Sequence, residues 1–226
     1  MLVQDRMRPR PITVTPDDTL ADALRLTREH RIRHLPVVLP TGELTGIVSD
    51  RDIRLAMPSP LTVSDDERAG FLLSTPIAAI MTREVITASP METIEDAART
   101  MYRHRISSLP IVNARGDLQG ILTETDILHA FVQLLGGMQP CSRIEVVLAD
   151  RPGELARAIR VVGEQLQLNI VSLLVPSART GEPRVAIINL ATIDPRDAVE
   201  ALETAGFRVG WPALERDLRT APEPGA

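Results

Sequence analysis

Two short stretches of the 226-residue chain carry residue types able to do chemistry: Gly46-Ile47-Val48-Ser49-Asp50-Arg51-Asp52-Ile53 and Gly120-Ile121-Leu122-Thr123-Glu124-Thr125-Asp126-Ile127. Each reads Gly, two apolar residues, a hydroxyl, two variable positions, Asp and Ile. An apolar run that ends at a hydroxyl, with a carboxylate three positions on, describes a buried strand turning straight into a helix. Two chemistries fit. In a capping box, Ser49 or Thr123 accepts from a backbone N–H while Asp52 or Asp126 reaches back to the cap amide. In a nucleotide site, the free amides and the positive helix end attract a phosphate while the carboxylate accepts from the hydroxyls of a ribose. One copy alone does not choose between them, and capping boxes are common.

The elements that must position these residues are themselves duplicated. Residues 3–56 slide onto 77–130 at a constant offset of 74 without a gap, and 21 of the 54 pairs are identical. Met7 meets Met81, His30-Arg31-Ile32 meets His104-Arg105-Ile106, Leu35-Pro36 meets Leu109-Pro110, and Gly42, Gly46 and Asp52 meet Gly116, Gly120 and Asp126. Such a repeat governs the reading of the fold. Ile12-Thr13-Val14 is a short extended piece. Apolar residues at Leu20, Ala23 and Leu24, and at Ile94, Ala97, Ala98 and Met101, then mark an amphipathic helix capped by Thr19 or Thr93 with Asp22 or Asp96 behind it. Leu35 to Val38, a turn at Gly42 or Gly116, and Leu44 to Val48 make a hairpin. Each repeat is thus strand, helix, strand, strand, helix. A unit of this size has little core of its own, which predicts a pseudo-twofold pair with clefts where the two sheets meet.

The run Met, apolar-Thr-x-x-Pro, helix, His-Arg-Ile-x-x-Leu-Pro-Val, Gly-x-Leu-x-Gly-Ile, Ser/Thr-x-x-Asp resembles the cystathionine-β-synthase (CBS) domain, present twice as a Bateman module over residues 1–133. The resemblance implies two clefts that bind adenosine nucleotides or related ligands: AMP, ADP, ATP or S-adenosylmethionine. It implies phosphate contacts from Ser49 and Thr123 and a ribose held by Asp52 and Asp126. The pair before Leu-Pro would also face phosphate: Arg33 and His34 in the first copy, Ser107 and Ser108 in the second. A basic pair attracts polyphosphate more strongly than two hydroxyls, so unequal occupancy is expected, with polyphosphate at the first site.

After Gly136-Gly137 and Pro140 the style of sequence changes. Arg143 to Leu148 alternates as a strand, Asp150 to Leu155 turns it into a helix, and strands over Asn169–Val175 and Arg184–Leu190 flank a loop from Pro176 to Pro183. Asp194-Pro195-Arg196-Asp197 starts a second helix that Gly206 ends, and Phe207-Arg208-Val209 closes with a strand. The order βαββαβ is ferredoxin-like. Asp-x-Pro-Gly-x-Leu at the first turn, with Leu168-Asn169-Ile170 at the second strand, resembles an ACT domain. That implies either dimer pairing or an amino-acid ligand at Asp150, Gly153 and Asn169. Gln167 stands where that family usually has glycine, and the helix-to-Asn169 spacing is one residue long.

The expected fold class is therefore α/β (α+β): CBS repeats at 1–56 and 77–133, a connector at 57–76 with a helix begun by Ser64, a linker at 134–141, an ACT domain at 142–211 and a disordered tail at 212–226. A net charge of −5 and 2% aromatic residues offer no footprint for nucleic acid. The one cysteine, Cys141, suits a reducing compartment. No apolar run approaches the ~18 residues of a membrane span and no signal-peptide core is present; a soluble cytoplasmic protein is expected. His30, His34, His104 and His129 lack metal-ligand spacing, so no metal site is expected. His30 and His104 end helices, where dipole and free carbonyls account for them. With no Walker loop, zinc motif or nucleophile elbow, the reading is a non-enzymatic sensor needing no cofactor, a homodimer acting on an unknown regulated protein, of the acetoin-utilisation accessory type. A purely structural dimer with empty clefts and a weak nucleotide-using enzyme are the alternatives.

Overall fold

A computed structural model describes residues 1–137, 139–177 and 183–210, so the expected tail over 212–226 lies outside the described residues. The chain divides into two compact units, Met1–Leu128 and His129–Ala226.

The first unit runs from a 3-10 turn at Val3–Asp5 through β1 (Arg8–Pro9), α1 (Leu20–Glu29), β2 (His34–Val38), β3 (Leu44–Ser49) and α2 (Asp50–Ala56). The connector holds α3 (Asp65–Ser74); a 3-10 turn at Ile77–Ala79, α4 (Ile94–His104), β4 (Ser108–Val112), β5 (Leu118–Thr123) and the beginning of α5 (Glu124–Leu134) follow. α1 buries Leu20, Ala23 and Thr27, and α4 buries the matching Ile94, Ala97 and Met101. That i, i+3, i+7 stripe is one helix face. The Thr27 hydroxyl, buried on that face, donates to Leu24 O at 2.9 Å. Thr19 caps α1 with the full reciprocal box, whereas at Thr93 only the hydroxyl accepts from Asp96 N. In both hairpins the register is the same after the offset: Leu35 faces Val48 as Leu109 faces Leu122, and Val37 faces Gly46 as Ile111 faces Gly120.

The two repeats exchange their leading segments. β1 pairs with β5, placing Arg8 opposite Ile121, and Thr82 pairs with Ile47 of β3 in the matching way. Val3 N donates to Glu92 O and Ile77 N donates to Asp18 O. Ile94 N likewise donates to Met1 O, and Leu20 N to Thr75 O. The hairpin turns are tied to each other by Leu44 N to Gly116 O (3.2 Å) and Leu118 N to Gly42 O (3.1 Å). Buried Val14, Leu20, Leu35, Val48, Ile53 and Ile77 form one core cluster, and Val3, Ile94, Leu109, Ile111, Leu122 and Ile127 are buried as well.

This exchange explains the strand glycines. A Cβ on Gly46 would meet Met81 Sδ at 2.7 Å; one on Gly120 would meet Met7 Sδ at 2.6 Å and the Arg8 carbonyl oxygen at 2.9 Å. Both methionines come from the other repeat's leading segment. Gly120→Ala is expected to cost about 1–3 kcal/mol. It should cost more than Gly46→Ala, because the backbone oxygen facing it, that of Arg8 at 2.9 Å, stands closer than the Thr82 oxygen facing Gly46 at 3.1 Å, and neither can swing aside as a thioether can. Thermal unfolding of the two variants checks the order.

The second unit contains β6 (Ser142–Leu148), α6 (Glu154–Arg160), β7 (Ile170–Leu174), β8 (Arg184–Leu190), α7 (Arg196–Thr204) and β9 (Arg208–Gly210). The sheet order is β7-β8-β6-β9 with every pair antiparallel. Both helices cover one face, around buried Ile144, Val146, Ala158, Val162, Ile188, Ala198 and Leu202. α6 ends in a π turn at Val161–Gln165, which absorbs one extra residue; this takes up the surplus counted before Asn169. Gln167 sits at φ 54°, the left-handed region glycine favours. The start of α7 is shifted from the expectation: Pro195 occupies the N-cap position and the helix begins at Arg196. Asp194 accepts from Arg196 N at 3.1 Å and pairs with its guanidinium, which holds the carboxyl down at about 2. The segment before β6 is held to the sheet, since Asn189 Nδ2 and Ser172 Oγ both donate to Leu135 O at 2.7 and 2.9 Å.

Candidate functional site: two clefts between the repeats

Ser49 ends β3 and Thr123 ends β5, and both boxes close as the spacing predicts. Ser49 N and Oγ donate to Asp52 Oδ2 at 2.8 and 2.6 Å; Thr123 N and Oγ1 donate to Asp126 Oδ2 at 2.9 and 2.6 Å. Asp52 N and Asp126 N donate back to the hydroxyls. The first helical amides are also taken, Asp50 N by Arg33 O at 2.9 Å and Glu124 N by Ser107 O at 3.0 Å. Backbone amides at these helix tips are therefore largely satisfied by the chain itself, leaving side chains to do most of any anion binding.

Two clefts, matched by the offset, lie beside these tips. One, of about 450 Å³, is lined by Arg8, Arg10, Ile12, Arg31, Arg33, His34, Ser107, Thr123 and Glu124. The other, of about 370 Å³, is lined by Ser49, Asp52, Thr82, Glu84, Ile86, Arg105, Ser107 and Ser108, with His34 again on its wall. Here the expectation is corrected. Arg33 faces the Thr123 cleft, not the Ser49 cleft of its own repeat; His34 and Ser107 face both, and Ser108 faces Ser49 and Asp52. The Arg33 carbonyl is fixed to the first amide of α2; its side chain lines the Thr123 cleft alone, whereas His34 lines both clefts.

The sequence reading missed Arg8, Arg10 and Arg31. Arg8 Nε is 3.7 Å from Asp126 Oδ1, which ties the exchanged segment to the second box. Arg10 and Arg31 have left-handed backbones at φ 48° and 53°, as does Arg105 at 55°. At Arg31 and Arg105 the helix closes in a Schellman-type turn, Ile32 N to Thr27 O and Ile106 N to Met101 O. A non-glycine residue there is strained, and such strain clusters at functional sites. The available signal was the set of offset pairs that change charge: Arg8 against Thr82, Arg10 against Glu84 and Arg33 against Ser107.

His34 Nε2 lies 3.1 Å from Ser107 Oγ, a bond between the repeats on the wall shared by both clefts. Burial first, then the Arg33 charge, holds its imidazole below the ordinary 6.5, against the opposing pull of Asp50, Asp52 and Glu124. As pH falls through that ordinary value, the unfolded chain takes up the proton before the native one, so stability drops until the lower native value is passed. Urea unfolding between pH 7.5 and the acid side should show this slope, and His34→Gln should flatten it.

In the second unit Asp150 and Gly153 line a pocket with Arg151, Glu154 and Arg184. Gly153 takes φ 90° as the N-cap of α6, and Asp150 is exposed, 3.8 Å from Arg184. Asn169 is exposed beside Ala191, whose N donates to its carbonyl. Since Leu148 faces Arg184 and Ile170 faces Leu190, Asn169 stands at the opposite end of the sheet. The structure does not bring these three residues together. Among the described residues there is no metal-holding cluster, and no helix is long and apolar enough to cross a membrane.

The CBS domain matches this chain at residues 3–59 and 77–133. Over 155 residues the chain is 36% identical to the uncharacterized protein MJ1426 of Methanocaldococcus jannaschii, covering 58% of this chain and 92% of that one. It is 34% identical over 147 residues to inosine-5'-monophosphate dehydrogenase of Korarchaeum cryptofilum, but spans only 28% of that protein. Among solved structures, AcuB of Vibrio cholerae is 31% identical with a TM-score of 0.52, covering 61% of this chain and 95% of that one. CBSX2 of Arabidopsis thaliana, solved in complex with AMP, is 31% identical with a TM-score of 0.50, covering 58% and 96%. With the repeat, the paired clefts and these matches together, the chain belongs to the CBS-domain family, carrying the domain as a tandem pair.

Proposed function

We propose that this protein is a regulatory sensor whose adenosine ligand, AMP, ADP, ATP or S-adenosylmethionine, occupies the clefts between the CBS repeats. The observation that carries the reading is that Ser49 and Asp52 line one of two matched clefts and Thr123, bonded to Asp126, lines the other. Each box uses one carboxylate oxygen, Oδ2, internally, and the second oxygen of Asp52 or Asp126 is the acceptor for ribose hydroxyls. Ser49, Thr123, Arg33, His34, Ser107 and Ser108 face the remainder of the ligand. The likeness to CBSX2, solved with AMP, supports it. A ligand bound by both repeats changes their relation only through unequal affinity for two arrangements, and the exchanged leading segments couple them.

The second unit we read as an ACT domain that pairs two copies into a homodimer. Asp150 and Gly153 stand far along the sheet from Asn169, which disfavours an amino-acid site within one copy, while β7 is an edge strand with Leu173 and Leu174 exposed. Regulation of the acetoin-utilisation type, in the cytoplasm and without catalysis, completes the reading, with the AcuB likeness in support. Nucleotide released by heat from the purified protein and identified by mass tests it. Recovery of an adenosine compound is expected. A protein that releases none, and gives no calorimetric signal with AMP, ADP, ATP or S-adenosylmethionine, would end the proposal.

A further inference from the structure

We propose that the two clefts receive different chemical classes: the Thr123 cleft takes the di- or triphosphate of a nucleotide, and the Ser49 cleft takes an uncharged or cationic nucleoside. This rests on reading the clefts as adenosine sites and goes beyond it by dividing them. In the Thr123 cleft, Arg8, Arg10, Arg31 and Arg33 face a single lining carboxylate, Glu124. Arg8 is shared with Asp126, and among the described residues no carboxylate lies within salt-bridge distance of Arg10, Arg31 or Arg33. Three exposed guanidiniums with no carboxylate partner on one wall of a chain with net charge −5 make that wall attractive to a polyanion, and the planar fork grips phosphate oxygens in pairs.

The matched positions of the Ser49 cleft reverse this. Thr82 replaces Arg8, Glu84 replaces Arg10, Ser107 replaces Arg33, and Arg105 alone is kept, facing the carboxylates of Asp52 and Glu84. A triphosphate there would meet two negative groups and one positive one. A nucleoside would still find the Asp52 carboxylate, the Ser49, Ser107 and Ser108 hydroxyls and the apolar wall of Ile47, Val85 and Ile86. A positive substituent, such as a sulfonium, would also be attracted by Glu84.

Calorimetry on the full chain with ATP, adenosine, S-adenosylmethionine and inorganic tripolyphosphate tests the division. ATP and tripolyphosphate should compete for one site per chain, and adenosine should add at the other. Arg10→Gln with Arg33→Gln, both at exposed residues, should weaken ATP and tripolyphosphate by about tenfold or more while adenosine at the Ser49 cleft is unchanged. Thr82→Arg with Glu84→Arg, which copies the arginines across, should create a second ATP equivalent per chain. Two equal ATP sites in the unaltered protein, or ATP affinity indifferent to the arginine substitutions, would overturn the division and leave the adenosine reading intact. Tripolyphosphate binding with no response to adenosine, and ATP no tighter than tripolyphosphate, would overturn the adenosine reading on which the division rests.

Discussion

A chain lacking residues 1–9 is expected to lose more than about 4 kcal/mol of stability in its first unit, although those residues precede the first repeat's own helix and hairpin. Val3 is fully buried, and losing such a side chain costs about 1.5–3 kcal/mol. Val3 N to Glu92 O, Gln4 N to Pro90 O and Ile94 N to Met1 O disappear with it, at about 1 kcal/mol each. Ile94 is itself fully buried, so its amide at the start of α4 would need a new partner. β5 would lose the pairing of Arg8 with Ile121 and Pro9 with Gly120, and the space above Gly120 would lose Met7. The damage is therefore expected in the second repeat. Hydrogen exchange should show β5 and α4 opening before α1, and the melting temperature should fall by several degrees. A truncated chain that melts like the full one would refute the exchange.

That exchange was not legible in the sequence, and the reason is physical. Periodicity and caps are local, so Thr19, Thr93, Ser49, Ser64 and Thr123 marked helix starts correctly, and Gly42 and Gly116, at φ 92° and 87°, marked the hairpin turns. Nothing in residues 3–9 encodes which sheet they join. The trace they leave is on the partner: Gly46 and Gly120 are glycines inside strands, which signal close approach by another backbone. The cleft assignment was hidden in the same way. The Arg33-His34 pair reads as one basic feature of the Ser49 site, yet both residues line the Thr123 cleft and only His34 also reaches the other, and the cations that complete the Thr123 cleft come from the exchanged segment and the α1 turn. In the second unit the βαββαβ order was readable from alternation and breakers, and a one-residue surplus was visible as a number. Only the structure shows that a π turn spends it at Val161–Gln165.

Asp52→Ala and Asp126→Ala should separate the two chemistries that a Ser/Thr-x-x-Asp box allows. Each removes the acceptor of two hydrogen bonds from the cap residue but leaves the hydroxyl that accepts from the third helical amide, so each should cost about 1 kcal/mol of stability. If the second carboxylate oxygen holds ribose, each should also weaken the ligand of its own cleft, ATP for Asp126→Ala and adenosine for Asp52→Ala, by about tenfold to a hundredfold, the cost of losing a charged hydrogen bond. The two variants should differ with ATP. Asp126→Ala frees Arg8, which already lines the Thr123 cleft, from its partner 3.7 Å away, so the loss of the ribose contact is partly offset and ATP weakens less than adenosine does in Asp52→Ala. Thr82 stands at the matching place in the other cleft, so Asp52→Ala has no released cation and its adenosine loss is not offset. Equal stability losses with unchanged affinity for every ligand would mean that the boxes only cap helices. A ribose contact predicts instead that Asp→Asn, which keeps an acceptor for the cap but removes the charge, restores much of the stability and little of the affinity.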